Sequence, residues 1–457
     1  MKKLALALIV ATPLAAYPAA SWVIGGQIDS IFERQYAQLK GNPYVDIVER
    51  KTQRGIFSTE EVITFALKPE FSALFETMNA DAPVQDASKP VQFVVRSHIN
   101  HGPLPAFSGI GLASAHSALE LDEPLVKKLY AGKSPLTVDT QIDFAGAGHQ
   151  QLRSPAVESR VDGIEHLAWG ELVVDMDFNQ DFSVMNMQGS WPFMQARSMN
   201  GSDQFEIKGL TMQGQQTRLS ADKPDVYTGP VNIKLQHFET QSKDADHPPM
   251  RLENLVIKSD VKENAGFIDV FAGYEVDSLH VGEQVFRSAH FDLAVRHLEA
   301  AALAELNTIS QSLNTSAEPT DMAQLKPLLP PMQVLLENSP EIAIERMGMS
   351  TPQGEIKASA VVKLPNAKVG NLEAAIENPL ILMGLASVLE ASAQLAIPEA
   401  LLIESLSSEQ IEQLRALVQA GYVLNKNGQL STALSYVQGA ITINGQPLNP
   451  AMMGMPQ

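Results

Sequence analysis

The chain of 457 residues contains no cysteine, which excludes a disulfide framework, a cysteine nucleophile and lipid attachment at an N-terminal cysteine. Basic residues are outnumbered, 33 Lys and Arg against 52 Asp and Glu, and the formal charge is −19. With no Lys/Arg cluster to offset that charge, contact with nucleic acid or with an anionic lipid surface is disfavoured beyond the Lys2/Lys3 end. The acidity reads as a solvated surface that resists aggregation. No Gly-x-Ser-x-Gly elbow is present, and the spacing of Ser, His and Asp assembles no triad. No glycine-rich loop precedes a helix as phosphate binding requires. These absences point away from an enzyme, and no cofactor site is expected.

What is present begins with Lys2, Lys3 and an uncharged run, Leu4–Ile24. As a helix it is about 30 Å long, enough to cross a bilayer core. The lysines before it predict a cytoplasmic N-terminus with the bulk of the chain outside, and Trp22 at the outer interface. A cleaved signal peptide is the rival reading, since Pro13 and Pro18 weaken the helix and Ala19-Ala20-Ser21 offers small residues at cleavage spacing. Both readings export the chain. Its length and its 45% hydrophobic residues suffice for a sizeable core and two or three structural units.

Ile28, Ile31, Phe32, Tyr36 and Leu39 recur at helical spacing and predict an amphipathic helix ending near Gly41-Asn42-Pro43. Period two follows: a hairpin turns at Arg54-Gly55-Ile56-Phe57-Ser58, and Ala80–Lys89 reads as a surface loop. Strands are expected at Gln92–Ile99, Leu136–Phe144, Glu171–Asn179, Asp181–Gly189, Phe205–Met212, Val231–Thr240, Leu252–Val261, Phe267–Gly273, Gly273–Val281 and Ala289–Arg296. Asn179-Gln180, Glu263-Asn264-Ala265-Gly266 and Gly282-Glu283 mark reversals. Connections this short suit an antiparallel meander. His116–Leu121 and Leu125–Ala131 read as a small helical insertion.

From Leu298 the period is helical to Leu313, followed by a hinge, Asn314–Asp321, and a proline-broken helix, Met322–Leu336. Strands return at Glu341–Arg346, Glu355–Leu364 and Ala391–Ile397. Asn378-Pro379 opens an apolar stretch, Leu380–Leu389, expected as a buried core helix because it is too short to span a membrane. Ser407 and Gln410 have capping-box spacing for a helix closed by Gly421. The expected fold is α+β and β-dominated: an antiparallel meander with helices in the C-terminal third, preceded by a single transmembrane helix. Four regions follow: an anchor (1–25), a juxtamembrane helix with the first hairpin (26–90), a β-rich body (91–298) and a helical and hairpin end (299–457).

Three local patterns carry a likeness. Arg54-Gly55-Ile56-Phe57-Ser58 follows the anchor, and His101-Gly102-Pro103-Leu104-Pro105 follows the next strand. The C-terminal end turns at Asn427-Gly428 and Asn444-Gly445. In this order, the chain resembles the YdgA family, uncharacterised inner-membrane-anchored proteins of Gram-negative bacteria with a large periplasmic part. The resemblance implies a retained anchor at residues 4–24, a periplasmic body and no known chemistry. It rests on strand patterning alone between Gln150 and Gln324, and the short helix after Asp321 departs from the family's longer helical region.

The candidate residues are weighed singly. His98 and His101 have HxxH spacing, but odd spacing on a strand sends them to opposite faces, so no metal site is expected. His101-Gly102-Pro103 reads as a tight strand exit in which His101 bonds a main-chain group. Arg54-Gly55 reads as a turn whose arginine pairs with a carboxylate. Glu171, Asp175 and Asp177 share a face, as paired carboxylates for glycoside hydrolysis do, although a solvated face explains them more simply. Two functions stay ahead of an enzyme. One is a scaffold of the envelope that binds other envelope proteins or a second copy through exposed edge strands. The other is handling of lipid or another amphiphile. A lipid carrier requires a solvent-open trough lined by apolar side chains along consecutive strands, and a scaffold requires a closed core.

Overall fold

A computed structural model of the chain describes residues 17–18, 20–26, 36, 44–68, 92–107, 109–121, 124–161, 163–220, 223–243, 248–313, 326–368, 370, 372–377 and 384–448. Most of the expected span and juxtamembrane helix, the loop Ala80–Lys89, the hinge Asn314–Asp321 and Asn378-Pro379 lie outside them. Among the described residues no helix is long and apolar enough to cross a membrane. The chain forms two compact units, Met1–Ala196 and Arg197–Gln457, a division that falls inside the region 91–298.

In the first unit β1 (Val45–Arg54), β2 (Ser58–Leu67), β3 (Gln92–His101), β4 (Ala113–Glu120), β5 (Thr137–Ile142) and β6 (Gly148–Ser154) each pair antiparallel with the next. The meander continues through interrupted strands. Pro155, which has no N–H for a ladder, separates β6 from β7 (Val157–Val161), and Gly170-Glu171 separates β8 (Ile164–Trp169) from β9 (Leu172–Phe178). β7 pairs with β8 and β6 with β9, and both β8 and β9 lie along β10 (Val184–Ser198). Gly170 keeps the ladder intact across the gap by donating its N–H to Phe193 O at 2.9 Å.

The second unit repeats the scheme with longer strands: β11 (Gln204–Ser220), β12 (Lys223–Gln241), β13 (Met250–Asn264), β14 (Phe267–Val281), β15 (Gln284–Glu299), β16 (Glu341–Thr351), β17 (Gly354–Lys363) and β18 (Glu390–Pro398) pair in sequence order. β18 then pairs with β20 (Gln429–Val437), whose other edge takes β19 (Leu424–Lys426) and β21 (Ala440–Ile443), and β22 (Gln446–Pro447) closes on β21. Ala265 and Gly266, at φ 52° and 87°, supply the left-handed pair that a two-residue hairpin between right-twisted strands demands. Helices Ala300–Leu313, Leu329–Glu337, Leu372–Glu377, Glu399–Ser405 and Ser408–Gln419 lie in the C-terminal third as expected. Ser407 and Gln410 form the capping box reciprocally. The helix Ala300–Leu313 buries Ala300 against Val226 and Ile268, and Leu329, Leu336, Leu385 and Val388 pack around Ala367 and Leu372.

Several expectations are corrected. His116–Leu121 is not helical; His116 to Glu120 end β4, where Ser97 and Ser117 hydroxyls meet at 2.7 Å and His116 Nδ1 lies 2.7 Å from Asp139. Its Ala, Leu and Glu residues favour a helix, and pairing on both edges overrides that weak preference. Gly273 does not divide two strands but sits inside β14, where a Cβ would stand 3.0 Å from Asp292 Oδ1. β6, β7 and β8 are additional strands; polar composition hides β6 and β7, and the mostly apolar β8 is only six residues long. Of Leu380–Leu389, the described residues form one short helical turn at 384–386, half-buried or exposed rather than a buried core helix.

One face of the second sheet is charged and paired across strands. Lys258 Nζ and Arg346 Nη2 reach Glu275 at 2.9 and 2.8 Å, Arg346 also holds Asp292, and Arg296 and Lys363 reach Glu341 at 2.6 and 2.7 Å. The hydrogen bond from Lys258, helped by Arg346 and opposed by partial burial, holds the Glu275 carboxyl below its ordinary value. Lys363 and then Arg296 do the same for Glu341. A carboxylate depressed in the folded state stabilises the fold above its unfolded pKa, near 4.5, and that contribution is lost as pH falls through the folded pKa. The urea midpoint is therefore expected to drop progressively below about pH 5, and Glu341→Gln is expected to lower stability at neutral pH while flattening this acid limb.

Candidate functional site

The two early motifs meet. Arg54 ends β1 and His101 ends β3, and Phe57 O accepts the N–H of His101 at 2.9 Å. Between them lies the helical segment 20–26. His101, 1% exposed, places Nδ1 3.0 Å from Ser21 O, so that nitrogen carries the proton and donates. The Arg54 guanidinium stacks 4.3 Å above the Trp22 ring and donates to Trp22 O, a favourable position for a cation near a helix C-terminus. Tyr17 stacks on Phe57 with centroids 5.6 Å apart and donates its hydroxyl to Leu104 O at 2.7 Å. Ile24 packs on Ile99 and Ala113.

Two glycines make this contact sterically feasible. Gly102 has φ 125°, and a Cβ there would overlap Ser21; a Cβ on Gly25 would stand 2.7 Å from the His101 ring. Gly55 and Ser58 close the intervening turn through a 2.7 Å N–H to carbonyl bond, and Pro103 O receives Gly111 N–H at 3.4 Å. Arg54, Phe57, His101 and Gly102 thus form a socket for the described residues of 17–26, and Gly55, Ser58 and Pro103 shape the turns beside it. His98, on the other face of β3, is exposed and lies against Glu60.

The C-terminal motif residues are turn-formers of another kind. Asn427-Gly428 and Asn444-Gly445, with φ 53°, 78°, 49° and 78°, close the β19–β20 and β21–β22 hairpins as left-handed pairs. Asn444 also ties three segments: its Nδ2 donates to Gly421 O and Tyr422 O at 3.0 Å, and its Oδ1 accepts Ala433 N–H at 2.9 Å. Glu171, Asp175 and Asp177 are each engaged, by Arg153 at 3.6 Å, by Gln151 at 2.7 Å and by His149 at 2.9 Å. Asp177 and His149 stand at a cavity of about 410 Å³ with Ile110, Ile142 and Phe178.

The larger feature belongs to the second unit. Met212, Ile233, Ile257, Tyr274, Phe291, Met347, Ala358, Leu395 and Thr432 are successive cross-strand partners from β11 to β20. Four residues further along the strands runs Val261, Val270, Val295, Ile342, Val362, Ala391, Tyr436 and Ile441, with one intervening row between. That middle row includes the small residues Gly214, Ser259, Ala272, Ala360 and Ala393. The same row also holds Val231, Leu293, Ile344 and Leu434, and because side chains two apart on a strand share a face, the three rows form one largely apolar surface. With strands about 4.8 Å apart it runs on the order of 40 Å. It is open: Tyr274, Ile342, Met347, Val362, Leu395, Leu434 and Ile441 are 38 to 53% exposed. Among the described residues, helix Ala300–Leu313 packs at the corner near Val261 and Val270.

Sequence reasoning identified these strands without finding the surface. The signal was the alternation itself, as in Val231, Ile233 and Leu235, but the join between strands depends on register. A protein-family model described as "Bacterial protein of unknown function (DUF945)" matches residues 1–451. An antiparallel β-sheet protein by fold, the chain belongs to this bacterial family. No curated protein and no solved structure matches it.

The socket makes a direct test of the Gly102 position available. Gly102→Ala is expected to cost about 2 kcal/mol in urea unfolding, from the positive φ together with the Ser21 overlap. Adding Ser21→Gly relieves the overlap and recovers part of the loss, whereas a loss unchanged by the second substitution would leave the helix contact without a role.

Proposed function

We propose that this chain is a non-enzymatic, inner-membrane-anchored protein of the bacterial envelope, of the YdgA kind its motifs resemble, and that its second unit holds the acyl chains of a lipid along the open sheet face. What supports the lipid reading is that face: three adjacent, largely apolar rows with large side chains in solvent. Soluble surfaces rarely keep a contiguous apolar area of this kind without an occupant. A scaffold with a closed core does not require it. An acyl chain of about twenty ångströms fits within a surface on the order of 40 Å long, and it needs no specific polar partner, in keeping with the absence of polar groups from the two outer rows apart from Thr432 and the Tyr274 and Tyr436 hydroxyls.

The anchor reading rests on the uncharged run Leu4–Ile24 behind Lys2 and Lys3. Most socket contacts are made by Ser21, Trp22, Ile24 and Gly25, which stay with the chain whether or not it is cut at Ala19-Ala20-Ser21, so the anchor reading stands on the uncharged run alone. Periplasmic location follows from the same orientation. Intact-mass measurement on protein from the membrane fraction is expected to give the full-length mass, and a mass short by the first twenty or so residues would replace the anchor with a cleaved signal.

For the lipid, organic extraction of the purified full-length protein followed by mass spectrometry is expected to release phospholipid. Ile342→Glu with Leu395→Glu is expected to abolish co-purification while changing stability by only about 0.5 kcal/mol each, since both side chains are exposed. Protein free of lipid, or lipid retained by the double variant, would sink the reading.

A further inference from the structure

Beyond the apolar face, register gathers a second group of side chains. Glu206 on β11 is the cross-strand partner of Glu239 on β12, and His237, two residues before Glu239, is the partner of Glu253 on β13. His237 Nε2 lies 3.4 Å from Glu239 Oε2 and 3.6 Å from Glu206 Oε2, while Nδ1 lies 2.9 Å from Glu253 Oε1. One ligand atom from each of Glu206, His237 and Glu239 falls within 4.8 Å of the other two. The three side chains are 16 to 29% exposed.

A neutral imidazole that donates its Nδ1 proton to Glu253 presents the Nε2 lone pair to two carboxylates. Lone pairs and carboxylate oxygens repel one another unless a cation stands between them. The carboxylate on the far ring nitrogen is also the arrangement that fixes tautomer and orientation in metal-bound histidines. We propose that Glu206, His237 and Glu239 ligate a divalent transition-metal cation, best matched by zinc, with Glu253 as the positioning residue behind His237. One imidazole and two carboxylates suit zinc and leave a fourth position for water.

The surrounding cations do not fill the site. Lys208 Nζ bonds Glu206 Oε2 at 2.7 Å, Arg251 Nη2 reaches both oxygens of Glu239 at 3.3 Å, and Gln241 donates to Glu239 Oε1 at 2.6 Å. Each carboxylate has about four lone-pair directions and keeps some of them for a metal.

The test is calorimetric titration of zinc chloride into full-length protein stripped with EDTA, with circular dichroism on every variant. One zinc per chain is expected, weakened at least tenfold by His237→Gln and by Glu239→Gln. Glu253→Gln, which touches only the far nitrogen, is expected to weaken binding ten- to a hundredfold with stoichiometry unchanged, and it keeps the proposal exposed where a ligand variant fails to fold. Absence of saturable uptake by the unsubstituted chain overturns the site. Uptake that His237→Gln and Glu253→Gln both leave unaltered overturns it as well, by moving zinc to another of the 10 histidines. Either result leaves the lipid reading untouched.

Discussion

Register is the constraint on which the second unit depends. Side chains alternate with a period of two, so a slip of one residue would carry Tyr274, Ile342 and Leu395 to the face that holds Lys258, Glu275 and Arg346. Both faces would then be wrong at once. Cross-strand ion pairs on the charged face penalise such a slip, because Glu275 would lose Lys258 and Arg346 together. Tight turns such as Ala265-Gly266 set the starting pair on each hairpin. Where β16 needs an extra residue, the bulge between Ile344 and Met347 absorbs Glu345 and returns both apolar residues to the same face.

A line of left-handed residues crosses the same sheet. Gly209, Asn254 and Ser288, at φ 65°, 53° and 51°, occupy alternate strands β11, β13 and β15, bracketed by the paired residues Leu210, Leu235, Leu255, Val276 and Ala289 on one side and Lys208, His237, Glu253, Ser278 and Arg287 on the other. The apolar positions change parity there. Before the line they are Ile233 and Leu235; after it they are Phe238 and its partners Ile207 and Leu252. Gly209 has no side chain to obstruct Gln236, and Asn254 turns its amide to Asp277 at 2.8 Å. The change in parity brings charged residues to positions that are apolar elsewhere on the same strands, which is how His237 and Glu239 come to share a line with Leu235.

How much of this was legible in the sequence depends on range. Turns were legible because their chemistry is local: Asn427-Gly428, Gly282-Glu283 and the Ser407/Gln410 cap each specify a backbone conformation from two to four residues. Long apolar alternation marked β11 to β15 for the same reason. β6, with His149-Gln150-Gln151-Leu152-Arg153, carries too few apolar residues to announce a strand, and its neighbours β5 and β9 hold it in place. The contact of His101 with Ser21 spans eighty residues. Nothing in either motif named its partner, although the spacing did indicate that His101 and His98 point apart.

The motif residues and the residues of the open sheet face are different sets, and this explains why motif reading yields a resemblance without an activity. Arg54, Gly55, His101, Gly102, Asn427, Gly428 and Asn444 all act on backbone, by bonding carbonyls or by adopting angles that other residues resist. Such requirements admit few substitutes, so they are recognisable as motifs. An open apolar sheet face makes the opposite demand: Val, Ile, Leu and Met serve almost equally, provided volume and phase are kept. Its composition is free to vary, and only the pairing of strands turns alternating residues into a surface. For a fold of this kind, register, rather than any short run of residues, carries the functional information.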